Sequence, residues 1–127
     1  MNRRIITTAH APKAIGPYSQ AVQTDQLLFV SGQLGLHPNG SGLVTGGVAA
    51  QTARALDNIK TILEAAGLSL GHVVKTTILL TDMADFPVVN DIYASYFPEA
   101  PPARATYAVA GLPLGAQIEI EAIAARF

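Results

Sequence analysis

VAAQTARALDNIKTILEAAG, residues 48–67, followed after a short break by HVVKTTILLTD, residues 72–82, decides the fold class of this 127-residue chain. In the first segment Thr52, Leu56, Ile59, Leu63 and Ala66 recur at three- and four-residue spacing, while Arg54, Asp57, Lys60 and Glu64 lie mostly off that stripe. This is the period of a helix with one buried face, and Gly67 supplies its C-terminal stop. The second segment alternates, with Val74, Thr76, Ile78 and Leu80 on one side and Val73, Lys75, Thr77 and Leu79 on the other. Both sides are largely apolar, so the strand is expected in the middle of a sheet on which the helix packs.

Downstream, ADFPVVNDIYASYFP (residues 84–98) reads as a second helix. Pro87 is tolerated in its first turn, Asp82 and Asp85 beside its start are candidate caps, and Phe86, Val89, Tyr93, Tyr96 and Phe97 supply a core-facing side. Upstream, RRIITT (residues 3–8) is a short β-branched strand, and AHAPKAIGPYSQ (residues 9–20), with two prolines and a glycine, is an extended loop. Ala21 to Thr24 and Leu27 to Ser31 form a hairpin about Asp25-Gln26, and HPNGSGLVTGG (residues 37–47) is a surface loop. Two strands finish the chain. The order β-β-β-α-β-α-β-β describes a single α+β domain over residues 1–127, with both helices on one face of a mixed sheet.

Half of the residues are apolar and only 13% are charged, few for the surface of so small a protein. The uncovered sheet face is therefore expected to meet other copies of the chain in a closed ring. Net charge is -1 and the eight Lys and Arg are scattered singly apart from Arg3-Arg4, so no basic stripe marks a nucleic-acid binder. The absence of cysteine excludes disulfides, thiolate nucleophiles and zinc-thiolate sites. With no apolar run of membrane-spanning length and no secretory leader pattern at the N-terminus, a cytoplasmic protein without a membrane partner is expected.

Among candidate functional residues Arg104 stands first. It is the only charged residue between Glu99 and Glu119, in APPARATYAVAGLPLGAQIE (residues 100–119). A permanently charged guanidinium among alanines, with no acid beside it in sequence, needs a carboxylate or phosphate partner. An antiparallel pair folded about Gly111 and Leu112 would set Glu119 opposite Arg104 on one sheet face, either as a site or as an ordinary cross-strand ion pair. Tyr18, held by Gly16-Pro17, reads as a loop group facing a ligand or as a plug at the core edge. Gly32, in Ser31-Gly32-Gln33, admits a close backbone approach or marks a bulge. His10, His37 and His72 lie far apart without ligand spacing, so no metal site is expected. Neither a G-x-S-x-G elbow nor a phosphate loop is present.

These residues, in this order, resemble the RidA/YjgF family of reactive-intermediate deaminases, also named the endoribonuclease L-PSP family. The likeness runs nearly end to end: AP-K-AIGPYSQAV (residues 11–22), LLFVSGQ (27–33), AAQTARALDNIKTILEAAG (49–67), VVKTTILLTDM-DF-VVNDIY (73–93), PPARATY (101–107) and IEIEAIA (118–124). The resemblance implies a chorismate-mutase-like fold assembled as a homotrimer, its sheets turned inward as a barrel-like core with clefts between subunits. It also implies hydrolysis of 2-imino acids, or their 2-aminoacrylate tautomers, to 2-keto acids and ammonia without cofactor or metal. On this likeness Arg104 binds the substrate carboxylate, Glu119 positions water, and Tyr18 and Gly32 line the substrate site. Thr106 stands where the deaminases usually carry cysteine, and its backbone N–H can still donate to substrate.

Two other classes of function remain open on the sequence. One is a regulatory module that binds a small carboxylate without turning it over. The other is an RNA-cleaving translation inhibitor, which the lack of a basic patch and of a catalytic histidine pair disfavours.

Overall fold

The computed structural model describes residues 2–127. Eight main elements follow in order: β1 (Arg3–Ile6), β2 (Ala21–Thr24), β3 (Leu27–Leu34), α1 (Gly47–Ala65), β4 (Val73–Leu80), α2 (Phe86–Tyr96), β5 (Ala103–Ala108) and β6 (Ile118–Ala125). Single turns of 3-10 helix at Leu70–His72, Met83–Asp85 and Pro113–Gly115 punctuate the connections. The strands form one sheet in the order β1-β2-β3-β6-β4-β5, antiparallel except for the β4–β5 pair. The expected α+β order and the mixed sheet are thus present.

The terminal strands differ from expectation. β5 does not fold back onto β6; it pairs parallel to β4, and β6 lies antiparallel to β4 on its other side. The reason is the intervening α2, since a strand–helix–strand unit returns the chain parallel to the strand it left. The sequence IEIEAIAA then puts Ile118, Ile120, Ala122 and Ala124 on one face, all buried, and Glu119 and Glu121 on the other. So regular an alternation suits a central strand packed on one face, and β6 fills the gap between β3 and β4.

The helices cover the face carrying those apolar side chains. In α1 the expected stripe of Thr52, Leu56, Ile59, Leu63 and Ala66 is buried, widened by Gln51, Ala55, Asn58 and Ile62. Asn58 is buried but satisfied: its Nδ2 donates to the carbonyls of Leu34 at 3.2 Å and Leu36 at 3.0 Å, which pins α1 to the end of β3. Gly35 makes the approach possible, because a Cβ there would lie 2.5 Å from Gln51 Cα. Gln51 also accepts from the Gln117 backbone N–H at 2.9 Å and donates to the Gln117 side chain at 3.2 Å, tying α1 to the entry of β6.

Two smaller expectations also shift. A bulge between Val73 and Lys75 turns Val73 inward with Thr76, Ile78 and Leu80, and leaves Val74 exposed. Of the two candidate caps, Asp82 caps as expected, accepting from the Ala84 N–H at 2.9 Å, whereas Asp85 makes no side-chain cap. Opposite the helices the sheet is bare. Phe29 and Tyr107, 43% and 51% exposed, stand on that face with the half-buried Leu79 and Ile123.

The inward row of β6 is expected to carry much of the stability. Ile120→Ala should lower the unfolding free energy in chemical denaturation by about 2–5 kcal/mol, through lost burial and the cavity left behind. A loss below about 0.5 kcal/mol, the range of ordinary surface changes, would contradict this placement of β6.

Candidate functional site

Gln20 organises the loop that leads from β1 to β2. It is buried, accepts from the Thr8 N–H at 2.7 Å, and its Nε2 donates to the carbonyls of Thr8 at 3.1 Å and Pro12 at 2.9 Å. A single amide thereby gathers the proline-rich segment and presents Tyr18 at its tip. The Tyr18 hydroxyl accepts from the Ile15 N–H at 3.2 Å, and the side chain stays half exposed. The loop is fastened to β3 by the Ser31 N–H, which donates to Gln20 O at 2.9 Å, and by Ser31 Oγ, which donates to Ser19 O at 2.6 Å.

At that point β3 is irregular. Its register against β6 shifts between Val30 and Gln33, so Ser31 and Gly32 form a bulge, and pairing resumes with Gln33 opposite Ile120 and Leu34 opposite Glu119. The Glu119 side chain lies over Gly32: a Cβ on Gly32 would fall 2.7 Å from Glu119 Cδ and 2.9 Å from Oε1. A side chain at position 32 would therefore displace the carboxylate, and glycine leaves Glu119 room to lie there. Tyr18, Gly32 and Glu119 line one open cleft of about 540 Å³, together with Lys13, Gln33, Leu114 and Glu121.

Burial in the cleft raises the Glu119 pKa above its ordinary 4.5, and the like charge of Glu121 raises it further. Among the described residues of the same chain, no basic side chain contributes an opposing effect. A carboxyl of raised proton affinity suits proton exchange with a reacting molecule.

Arg104 and Thr106 are elsewhere. Arg104 pairs in register with Thr76 and Thr106 with Ile78, so both face the helices, whereas Glu119 points to the bare side of the sheet. The expected juxtaposition of Arg104 and Glu119 on one face is not found within the chain, because β4 separates their strands and their side chains leave opposite faces. Nor is Arg104 in an ion pair among the described residues. Its Nη1 donates to Asn90 Oδ1 at 2.8 Å, and its Cζ lies 5.0 Å from the Tyr93 ring centroid and 5.4 Å from that of Phe86. The Thr106 Oγ1 is buried with no hydrogen-bond partner among the described residues.

Sequence reasoning passed over several members of this arrangement. Glu121, two positions after Glu119 on an alternating strand, was visible from the period alone. Lys13, the one cation of its loop, carried a weaker signal. Asn90 and Gln20 carried none, since their roles depend on contacts across the fold. Among the described residues no group of three or more histidine, aspartate and glutamate side chains could hold a metal ion. No helix of the described chain is long and apolar enough to cross a membrane.

The chain matches the family model of endoribonuclease L-PSP over residues 8–126. It is 56% identical over 122 residues to the 2-iminobutanoate/2-iminopropanoate deaminase of Mus musculus, covering 96% of this chain and 90% of that protein. Among solved structures it resembles a Thermotoga maritima protein at 50% identity, with a TM-score of 0.95 and 98% of each chain covered. It also resembles the YjgF gene product of E. coli at 44% identity and a TM-score of 0.93, over 98% of this chain and 99% of that one.

The raised pKa of Glu119 has a thermodynamic consequence. Between 4.5 and its elevated folded value, the folded state holds a proton that the unfolded chain has lost, so the group destabilises the fold as pH rises through that window. In an Arg104→Ala background, which removes the cation a second copy could bring to the site, Glu119→Gln is accordingly expected to raise Tm at pH 7, with the gain shrinking to nothing below pH 4.5. A Tm lowered at pH 7, or a gain independent of pH, would contradict the assigned cause.

Proposed function

The chain belongs to the RidA/YjgF family, that of endoribonuclease L-PSP, and from that premise we propose that it hydrolyses 2-imino acids and 2-aminoacrylate to 2-keto acids and ammonia. The observation that carries the mechanism is the state of Arg104: a guanidinium oriented by a neutral amide, with no carboxylate partner among the described residues.

Since Arg104 and Glu119 face opposite sides of one chain, the working site is formed between copies. Glu119, Gly32 and Tyr18 of one subunit meet Arg104 of the partner subunit in a cyclic homotrimer, and the bare sheet faces close its centre. The exposed Phe29 and Tyr107 supply apolar surface for that closure.

In this site Arg104 grips the substrate carboxylate in a two-pronged contact and orients the C=N carbon. Glu119 holds a water against that carbon. As the water oxygen bonds to it, the C=N π-electrons move to nitrogen and Glu119 accepts the water's proton. The tetrahedral carbinolamine then collapses: the carboxyl returns its proton to nitrogen, the oxygen lone pair forms C=O as the C–N bond breaks, ammonia leaves, and the proton left on the oxygen passes through the Glu119 carboxylate to the departing ammonia. The backbone N–H of Thr106 donates to the bound substrate. Protonated imines already hydrolyse in water, so positioning and one proton carrier suffice. The name of the mouse relative supports this substrate class.

The test generates 2-iminopropanoate with a serine dehydratase and follows pyruvate through lactate dehydrogenase. The protein is expected to speed pyruvate appearance; Arg104→Ala should lower kcat/KM by roughly 10- to 100-fold, the worth of hydrogen bonds to a charged group. Glu119→Gln should lower kcat by about 10²–10⁴-fold, as loss of a general acid–base does. A wild-type protein that binds pyruvate but does not accelerate its appearance is instead a carboxylate-binding module.

A further inference from the structure

Arg104 sits on an edge strand, where a long flexible side chain has few neighbours to restrain it. Its restraint comes from α2, which presents Phe86, Asn90 and Tyr93 at intervals of four and three residues, one stripe along the helix. Two members of the stripe place aromatic rings 5.4 Å and 5.0 Å from the guanidinium carbon, within range of cation–π attraction. The third accepts a 2.8 Å hydrogen bond from Nη1. The Tyr93 ring is fixed in turn by a 2.7 Å hydrogen bond between its hydroxyl and Thr76 Oγ1, on the residue that pairs with Arg104 across the β4–β5 ladder. Helix, ring and strand thus form a closed set of contacts around one cation.

The chemical identity of the acceptor is informative. An aspartate at position 90 would form a stronger, charge-assisted bond with Arg104, but it would also neutralise the guanidinium and occupy it as an internal carboxylate. An asparagine oxygen orients without neutralising. The aromatic faces act alike, since they attract the cation without supplying a countercharge. Arg104 has five N–H donors, and apart from Nη1 none finds an acceptor among the described residues. The arrangement holds a cation in place and keeps most of its donors open.

We infer that Asn90 is a positioning residue for carboxylate capture: its amide oxygen, backed by the Phe86 and Tyr93 rings, pre-orients Arg104 and leaves its charge for the substrate. This rests on the carboxylate-binding role proposed for Arg104. Without Asn90 the guanidinium must be immobilised when the substrate arrives, which weakens binding but leaves the reacting carbon and Glu119 untouched.

The experiment compares wild type, Asn90→Leu, Asn90→Asp and Arg104→Ala in the coupled assay, and measures Tm and competitive inhibition by pyruvate for each. Asn90→Leu and Asn90→Asp are both expected to raise KM and weaken pyruvate inhibition by about tenfold, the loss of one charged hydrogen bond, with kcat within about threefold of wild type. Asn90→Asp should be the more severe, because its carboxylate competes with the substrate's. Should Asn90→Leu fail to fold, Asn90→Asp, of the same size and shape, carries the test alone. A wild-type KM in the variants alongside a collapsed Arg104→Ala overturns the role of Asn90 only. The same holds for a fall in kcat and Tm with KM unchanged, which marks a merely structural residue. A wild-type KM in Arg104→Ala overturns the carboxylate role of Arg104 and this inference with it.

Discussion

The insertion of β6 between β3 and β4 governs the geometry of everything else. Because a strand's side chains alternate, burying Ile118 and Ile120 against the helices obliges Glu119 and Glu121 to face the other way. Because β4 takes β6 on one side, it takes β5 on the other, and the register that sets Arg104 beside Thr76 turns the guanidinium toward α2. The acid and the cation are thereby separated by a strand and by the sheet itself.

Each half is prepared independently. On the bare face, the glycine in the bulge at Ser31-Gly32 leaves room for the Glu119 side chain, and the Gln20-centred loop lines the cleft with Tyr18. Burial and the neighbouring Glu121 then raise the proton affinity of Glu119. On the helix face, α2 restrains Arg104 with an amide and two rings that carry no countercharge. A protomer holding a poised acid on one side and a cation without a carboxylate partner among the described residues on the other has the two ends that the proposed site brings together from neighbouring copies.

Much of this was legible in the sequence, for physical reasons. The stripe from Thr52 to Ala66 and the alternation of Thr76, Ile78 and Leu80 are local periods, and they fixed the helix, the central strand and the order of elements. The hairpin about Asp25 was signalled by its turn, and the close approach at Gly32 by the glycine. What the sequence hid was non-local. A glycine- and proline-rich link such as residues 109–117 is compatible with a hairpin, and only the preference of a strand–helix–strand unit for parallel pairing sends β5 to the far side of β4. The inward turn of Val73 depended on a bulge with no glycine to announce it. Gln20 and Asn90 are single polar residues whose importance lies wholly in what they touch across 12 and 14 residues of chain.

The central claim is that Arg104 and Glu119 act together from different copies of the chain. It is tested most directly by unfolding, mixing and refolding equal amounts of the Arg104→Ala and Glu119→Gln proteins, each nearly inactive alone, and measuring imine hydrolysis. In a randomly mixed cyclic trimer about a quarter of the clefts receive an intact Arg104 from one subunit and an intact Glu119 from the next, so activity should return to about a quarter of wild type. A mixture no more active than its two components would contradict the account.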